Sequence, residues 1–183
     1  PDVFLSPDGF LPFNTSVKTL NIIHDVGFEH HKENLPFLER MYYRKYFSKF
    51  ARKSTRLATI SQFSKADIIK TYGLPSEKID VVYDGVNENF KPITPEQQKE
   101  IQKKYSGGNE YFISVGRLHT RKNTHLLLEA FDSFKSSFPS SIKLVIVGNQ
   151  KWQSKQVKDV FDKLKFKDDI IFTGRISDIS LAQ

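Results

Sequence analysis

The sequence predicts an α/β protein containing parts of two Rossmann-like domains, each a parallel sheet flanked by helices. In the second half, apolar β-rich runs at 111–116 ("YFISVG"), 142–148 ("IKLVIVG") and 170–174 ("IIFTG") alternate with two segments of helical spacing. The first carries Leu127, Phe131, Phe134 and Phe138, and the second Val157, Phe161 and Leu164. Strands that are apolar throughout and separated by amphipathic helices belong in a parallel sheet covered on both faces, with right-handed crossovers. The first half repeats the same alternation less regularly.

Taken in order, "VKTLNIIHD" (17–25) reads as a strand ending at His24 and Asp25. Residues 35–51 form a helix with Leu38, Tyr42, Tyr46 and Phe50 four apart on its apolar face. "TRLATI" (55–60) is the next strand, and Ser64 to Asp67 ("SKAD") opens a helix with the spacing of a capping box, Asp in place of Glu. Gly73 and Pro75 stop that helix, and "KIDVVYDGV" (78–86) supplies a strand and a turn. The polar, proline-containing stretch 87–98 ("NENFKPITPEQQ") reads as a linker, so the boundary is placed near residue 90, dividing the chain into 1–90 and 91–183.

Composition narrows the function classes. The 183 residues contain no cysteine, which excludes a disulfide framework, a Cys-ligated zinc site and a thiol nucleophile, and fits a reducing compartment. No apolar run approaches the roughly 20 residues that span a bilayer, and no signal-peptide pattern is present, so the cytoplasm is the expected location. A net charge of +7 favours an anionic partner: nucleic acid, an acidic lipid surface or a phosphorylated small molecule. The chain begins at Pro1 and stops in "SDISLAQ", which looks like a starting helix, and the expectation is a piece of a longer protein.

The three second-half strands each end in glycine: Gly116, Gly148 and Gly174. Any one of them serves a tight turn; together they fit ligand binding at the carboxyl ends of strands, where side chains would block the backbone's approach. After the first of these strands, "VGRLHTRKN" (115–123) concentrates Arg117, Arg121 and Lys122. Alone it would be a solvated basic loop. Its place between a strand with its glycine and a helix start favours phosphate, since the first amides of a helix and its dipole attract anions.

In this order the segments "DVFLSP", "IIHDVGF", "RLATISQFSKADIIKTYGLPSEKIDVVYDGVNENFKP", "YFISVGRLHTRKNTHLLLEAF", "KLVIVGNQKW" and "IIFTGRISD" resemble the retaining nucleotide-sugar glycosyltransferases of family four, whose two facing Rossmann-like domains form the GT-B fold. The resemblance runs over nearly the whole chain. It implies that Arg117 and Lys122, with Gly116, hold the donor diphosphate, Arg as a planar fork and Lys as a compact charge. It implies that the backbone at Gly174, Arg175 and Ile176 meets the nucleotide base. His24 would approach the reacting carbon of the donor sugar, and Asp25 would orient it or bond nearby backbone. Ser61 and Ser64 match the family's S-x-F-S/T segment, and Asp84 replaces its more frequent Asn before Gly85. No cofactor is implied, and no metal: fixed cations take up the leaving group's charge, and no Asp-x-Asp pattern occurs.

The expected partners are a nucleoside-diphosphate sugar and a glycan or lipid-linked acceptor, with a hexose, by family habit mannose, transferred. The competing readings are a non-catalytic basic module binding nucleotide or nucleic acid, and a sugar-nucleotide epimerase of the same fold. Nucleic acid is disfavoured because the aromatic residues sit at helix-core spacings, and a dinucleotide dehydrogenase because no G-x-G-x-x-G follows a strand. Arg40, Arg44, Lys45, Lys49, Arg52 and Lys53 on the helix 35–53 read as a solvated face, with docking to an anionic membrane as the alternative. The chain alone is expected not to transfer sugar, because the family's two donor-contacting glutamates, eight positions apart, have no counterpart after Glu129 and its N-terminal Gly-rich loop would precede residue 1.

Overall fold

The computed structural model describes residues 2–31, 35–116, 118, 122–149 and 155–183. The chain divides into two compact units, Pro1–Gly85 and Val86–Gln183.

The first unit holds four parallel strands in the order β1 (Val3–Ser6), β2 (Lys18–Ile22), β3 (Arg56–Thr59) and β4 (Ile79–Val81). The helices are α1 (Gly27–His30), α2 (Phe37–Lys53) and α3 (Gln62–Tyr72). Ile23, Val26, Phe28, Phe47, Phe50, Leu57, Ile68 and Ile79 form the core.

Two local expectations are corrected here. In α2 the stripe Leu38, Tyr42, Tyr46, Phe50 does not stay on one face. A step of four residues overshoots a helical turn by about 40°, so three steps carry the stripe about 120° round the axis. Phe50 is therefore buried while Leu38 and Tyr42 are 74% and 45% exposed. In α3 the cap is Ser61, not Ser64. Ser61 is extended (φ −155°, ψ 158°), as an N-cap must be, and its hydroxyl accepts from the Ser64 amide at 3.0 Å. Asp67 instead accepts from the Thr71 hydroxyl at 3.2 Å and meets His30 at 2.8 Å. The helix stops at Gly73, left-handed at φ 61°, as expected.

The second unit begins with α4 (Pro95–Ser106) inside the stretch read as a linker. The start signal is present in the residues: Thr94 and Gln97 form a reciprocal capping box and Pro95 takes the first helical position. Then β5 (Tyr111–Val115), α5 (Thr124–Ser137), β6 (Lys143–Val147), α6 (Lys155–Lys163), β7 (Ile170–Gly174) and α7 (Asp178–Leu181) follow, with the strands parallel in the order β5-β6-β7. Central β6 is buried from Leu144 to Val147, whereas edge strand β5 leaves Phe112, Ile113 and Val115 about half exposed, so coverage on both faces does not extend to it. Phe131, Val157 and Leu164 are in the core as spaced, with Leu127, Phe134 and Phe161 partly buried against it; the fully buried leucine of α5 is Leu128, one position on from the predicted Leu127, and Phe138, at the C-cap of α5, is exposed.

One buried charge ties this unit together. Lys135, 4% exposed, pairs with Asp169 at 2.8 Å, and Asp169 also bonds Lys143. Burial would raise the Asp169 pKa, but the hydrogen bonds from Lys135 and Lys143 outweigh it and the net shift is downward. A carboxyl depressed in the folded state adds stability above its unfolded pKa of about 3.9, lost as pH falls through the folded value. Asp169→Asn should therefore destabilise the protein by about 2 kcal/mol at pH 7, less than a fully orphaned charge because Lys135 also donates to the Ser140 and Ile142 carbonyls. Urea unfolding should show the deficit shrinking below about pH 4.

Candidate active site

The second unit brings the carboxyl ends of its strands together through their glycines. The Gly116 amide donates to Val147 O and the Gly148 amide to Gly174 O, both at 2.9 Å. At Gly148 (φ 144°) a Cβ would lie 2.0 Å from the Gly116 carbonyl oxygen, so only glycine lets the two strand ends approach this closely. Beyond β5, Leu118 is 2% exposed and packs in the core. Lys122 follows on the surface. Asn123 is left-handed (φ 50°, ψ 31°), a conformation Asn tolerates, and makes no side-chain cap, and α5 starts at the buried Thr124. A cation thus stands immediately before a helix whose N-cap side chain does not occupy its first amides. Arg117, like His119 and Arg121, lies outside the described residues. At the end of β7, Gly174 is left-handed (φ 70°), Arg175 is exposed and Ile176 half-buried, and Ser177 caps α7 through the Ser180 amide at 3.2 Å.

His24 and Asp25 belong to the first unit, exposed just past the end of β2. Three bonds fix this turn. His24 Nε2 lies 3.2 Å from Pro7 O, and since a carbonyl only accepts, Nε2 carries the proton and a neutral ring keeps Nδ1 as its acceptor. The Thr59 hydroxyl donates to His24 O at 3.3 Å, and Asp25 Oδ1 accepts from the Gly27 amide at 2.8 Å, closing the turn into α1.

The loop that carries Pro7 is itself anchored. The Asn21 amide donates to Gly9 O at 3.0 Å, Phe10 meets Phe47 edge-on at 5.5 Å and Phe13 stacks on Phe50 at 4.9 Å. The orienting of His24 therefore traces back to the inner face of α2. Nearby, Arg44 holds Glu29 at 3.1 Å, and Glu29 accepts from the Tyr72 hydroxyl at 3.3 Å. Burial first, and the Glu29 carboxylate second, push the Tyr72 phenol far above its usual range, so it serves as a fixed donor tying α3 to α1.

Sequence reading did not find Pro7, because a backbone carbonyl distant in sequence leaves no residue-type signal. Neither did it mark His125, in the first turn of α5, whose Nδ1 is buried without a hydrogen-bond partner among the described residues. Among the described residues there is no group of three or more His, Cys, Asp or Glu placed to share a metal ion.

Two family models divide the chain between them: Glycosyltransferase Family 4 matches residues 9–90 and Glycosyl transferases group 1 matches residues 96–182. The chain belongs to this glycosyltransferase family. Among its relatives, the O-antigen chain mannosyltransferase RfbU of Salmonella typhimurium is 27% identical over 85% of the chain, and the alpha-1,3/1,6-mannosyltransferase ALG2 of Debaryomyces hansenii is 30% identical over 49%. Among solved structures, Anabaena Alr3699/HepE in complex with UDP and glucose shares the fold with a TM-score of 0.69 at 19% identity, over 90% of the chain and 43% of that protein. A glycosyltransferase from Rickettsia africae gives 0.64 at 26% identity, over 91% of the chain and 43% of its own length. The chain spans 39% of the length of RfbU and 19% of that of ALG2. The expected fold class, parallel sheets flanked by helices in two Rossmann-like parts, is that of these glycosyltransferases.

Proposed function

We propose that the chain is part of a retaining glycosyltransferase that moves a hexose, mannose, from a nucleoside-diphosphate sugar to a glycan or lipid-linked acceptor in the cytoplasm. The carrying observation is the second unit's strand-end platform: glycines at the ends of β5, β6 and β7, with Lys122 placed directly before α5. In this reading the second unit, from about residue 91, takes the donor, and the first, to about residue 90, faces the acceptor. The mannosyltransferases among the relatives support the sugar, and the HepE complex with UDP supports a nucleoside diphosphate.

The chemistry follows from charge. Breaking the glycosidic bond leaves negative charge on the departing diphosphate, and cations fixed beside it stabilise the transition state more than the ground state. Lys122 supplies a point charge and Arg117 a two-pronged donor, and the amides and dipole of α5 add to both. Gly116 keeps the approach open, and the backbone at Gly174, Arg175 and Ile176 receives the base. His24, its Nε2 held by Pro7 O, presents the rest of the ring to the sugar, with Asp25 shaping the turn that carries it.

The test is calorimetric titration of the intact enzyme. Arg117→Ala or Lys122→Ala should weaken nucleoside-diphosphate binding about ten- to a hundredfold, the effect of losing one charge-assisted contact. Nucleoside monophosphate, lacking the distal phosphate, should be affected much less. Equal, small effects on the two ligands would remove the phosphate assignment.

A further inference from the structure

We propose that Asn21 is a positioning residue for His24: its side-chain amide clamps the bend whose Pro7 carbonyl fixes the His24 ring. The inference deepens the transferase reading and rests on it for the effect on turnover, but not for the hold on the ring. Strands β1 and β2 run side by side to their carboxyl ends, with Ser6 opposite Asn21. The chain then bends through Pro7, Asp8 and Gly9. Asn21 Nδ2 donates to the Gly9 carbonyl at 3.0 Å, and His24 Nε2 donates to the Pro7 carbonyl at 3.2 Å. Two side chains three residues apart thus grip the same short bend. Its other side is closed as well: Gly9 lies so near Phe47 that a Cβ there would meet the ring at 2.8 Å, and Phe10 rests edge-on against that ring.

Packing alone gives no reason for an amide at this place. Asn21 is wholly buried, and its row across the sheet continues with Leu57 and Ile79, both buried and apolar. Its Oδ1 has no hydrogen-bond partner among the described residues, so the amide costs stability that an aliphatic side chain would not. What the amide supplies is the bond to Gly9 O. Without it that carbonyl would turn to water, since Asp8 and Phe10 on either side are already exposed, and the bend would loosen. The His24 ring, itself exposed, would then lose the bond that orients it. The Thr59 hydroxyl bonds only the His24 backbone, and Asp25 bonds Gly27, so neither replaces that hold.

Asn21→Leu, which keeps the branched shape and removes the amide, tests this in the full-length enzyme. The kcat should fall about tenfold while the KM for the sugar nucleotide changes less than about twofold, as for a catalytic group held off its working place. The melting temperature should move by no more than about 4 °C, because a buried orphan acceptor disappears along with the one bond lost. In the His24→Ala background Asn21→Leu should have no further effect on kcat, since it acts through the ring. Nitrogen-15 spectra of histidine-labelled enzyme, with the His24 signals identified by their loss in His24→Ala, give a readout apart from turnover. The neutral ring should carry its proton on Nε2 in the wild type and pass to the mixed tautomers of a free imidazole in Asn21→Leu. Asn21→Ala repeats each measurement if leucine overpacks the site. An unchanged His24 tautomer overturns the proposal, as does a kcat loss that adds in full to that of His24→Ala. So does a fall in melting temperature with the kcat of the folded fraction unaltered, which would make Asn21 a structural residue only. Mixed tautomers in Asn21→Leu, with kcat unmoved both there and in His24→Ala, would count against the place of His24 in the transferase reading alone.

Discussion

Gly148→Ala should destabilise the second unit by about 4 kcal/mol or more and abolish nucleotide binding with it. The added Cβ would sit 2.0 Å from the Gly116 carbonyl oxygen and 2.8 Å from its carbon, and both are backbone atoms that no rotamer change can move. Relief requires β5 and β6 to part at their carboxyl ends, which breaks the Gly116 amide bond to Val147 O and strains the Gly148 amide bond to Gly174 O. The backbone at φ 144° adds a further penalty for any L side chain. Gly107→Ala is the control within the same unit. Gly107 is left-handed at φ 65°, but a Cβ there meets nothing closer than 3.9 Å, so the substitution should cost only about 1 kcal/mol. Urea unfolding of the two variants measures the difference. If Gly148→Ala costs no more than Gly107→Ala, the strand ends do not approach each other this closely in solution, and the platform for the diphosphate is not built as described.

In the full-length enzyme, His24→Ala should lower kcat by roughly a hundredfold or more while the melting temperature changes little. His24 is exposed, so its removal forfeits one hydrogen bond to Pro7 O, worth about 1 kcal/mol, and no core packing. A group acting on the sugar in the transition state should instead show its loss in turnover. Asp25→Asn separates the neighbouring roles. The amide oxygen can still accept from the Gly27 N–H, so a fall in kcat with the fold intact would assign the Asp25 charge to the chemistry, and no change would leave it a turn-closing residue. If His24→Ala lowers the melting temperature and leaves the kcat of the folded fraction unaltered, the ring is a packing element and its placement near the donor sugar is wrong.

What the sequence by itself determined here is local. The alternation of apolar runs and helical spacings identified β2 to β7 and the parallel class, though not β1 (Val3–Ser6), because those periodicities follow from backbone geometry within each segment. Gly73 was legible as a helix stop and Asn123–Thr124 as a helix start, since the φ a residue tolerates belongs to its own chemistry. The α4 start was legible too, in Thr94, Pro95 and Gln97, and was missed because two nearby prolines read as linker. The tertiary structure decided the rest. The four-residue stripe on α2 could not say which side faces the core; that depended on Phe10, Phe13 and Phe28 arriving from other segments to cover Phe47 and Phe50, which left Phe37, Leu38 and Met41 outside. The hold of the Pro7 carbonyl on the His24 ring and the near contact of Gly148 with Gly116 likewise depend on backbone groups far from their partners in the chain. A carbonyl oxygen is the same in every residue, so its partner is set by register and packing, and residue type carries no record of it.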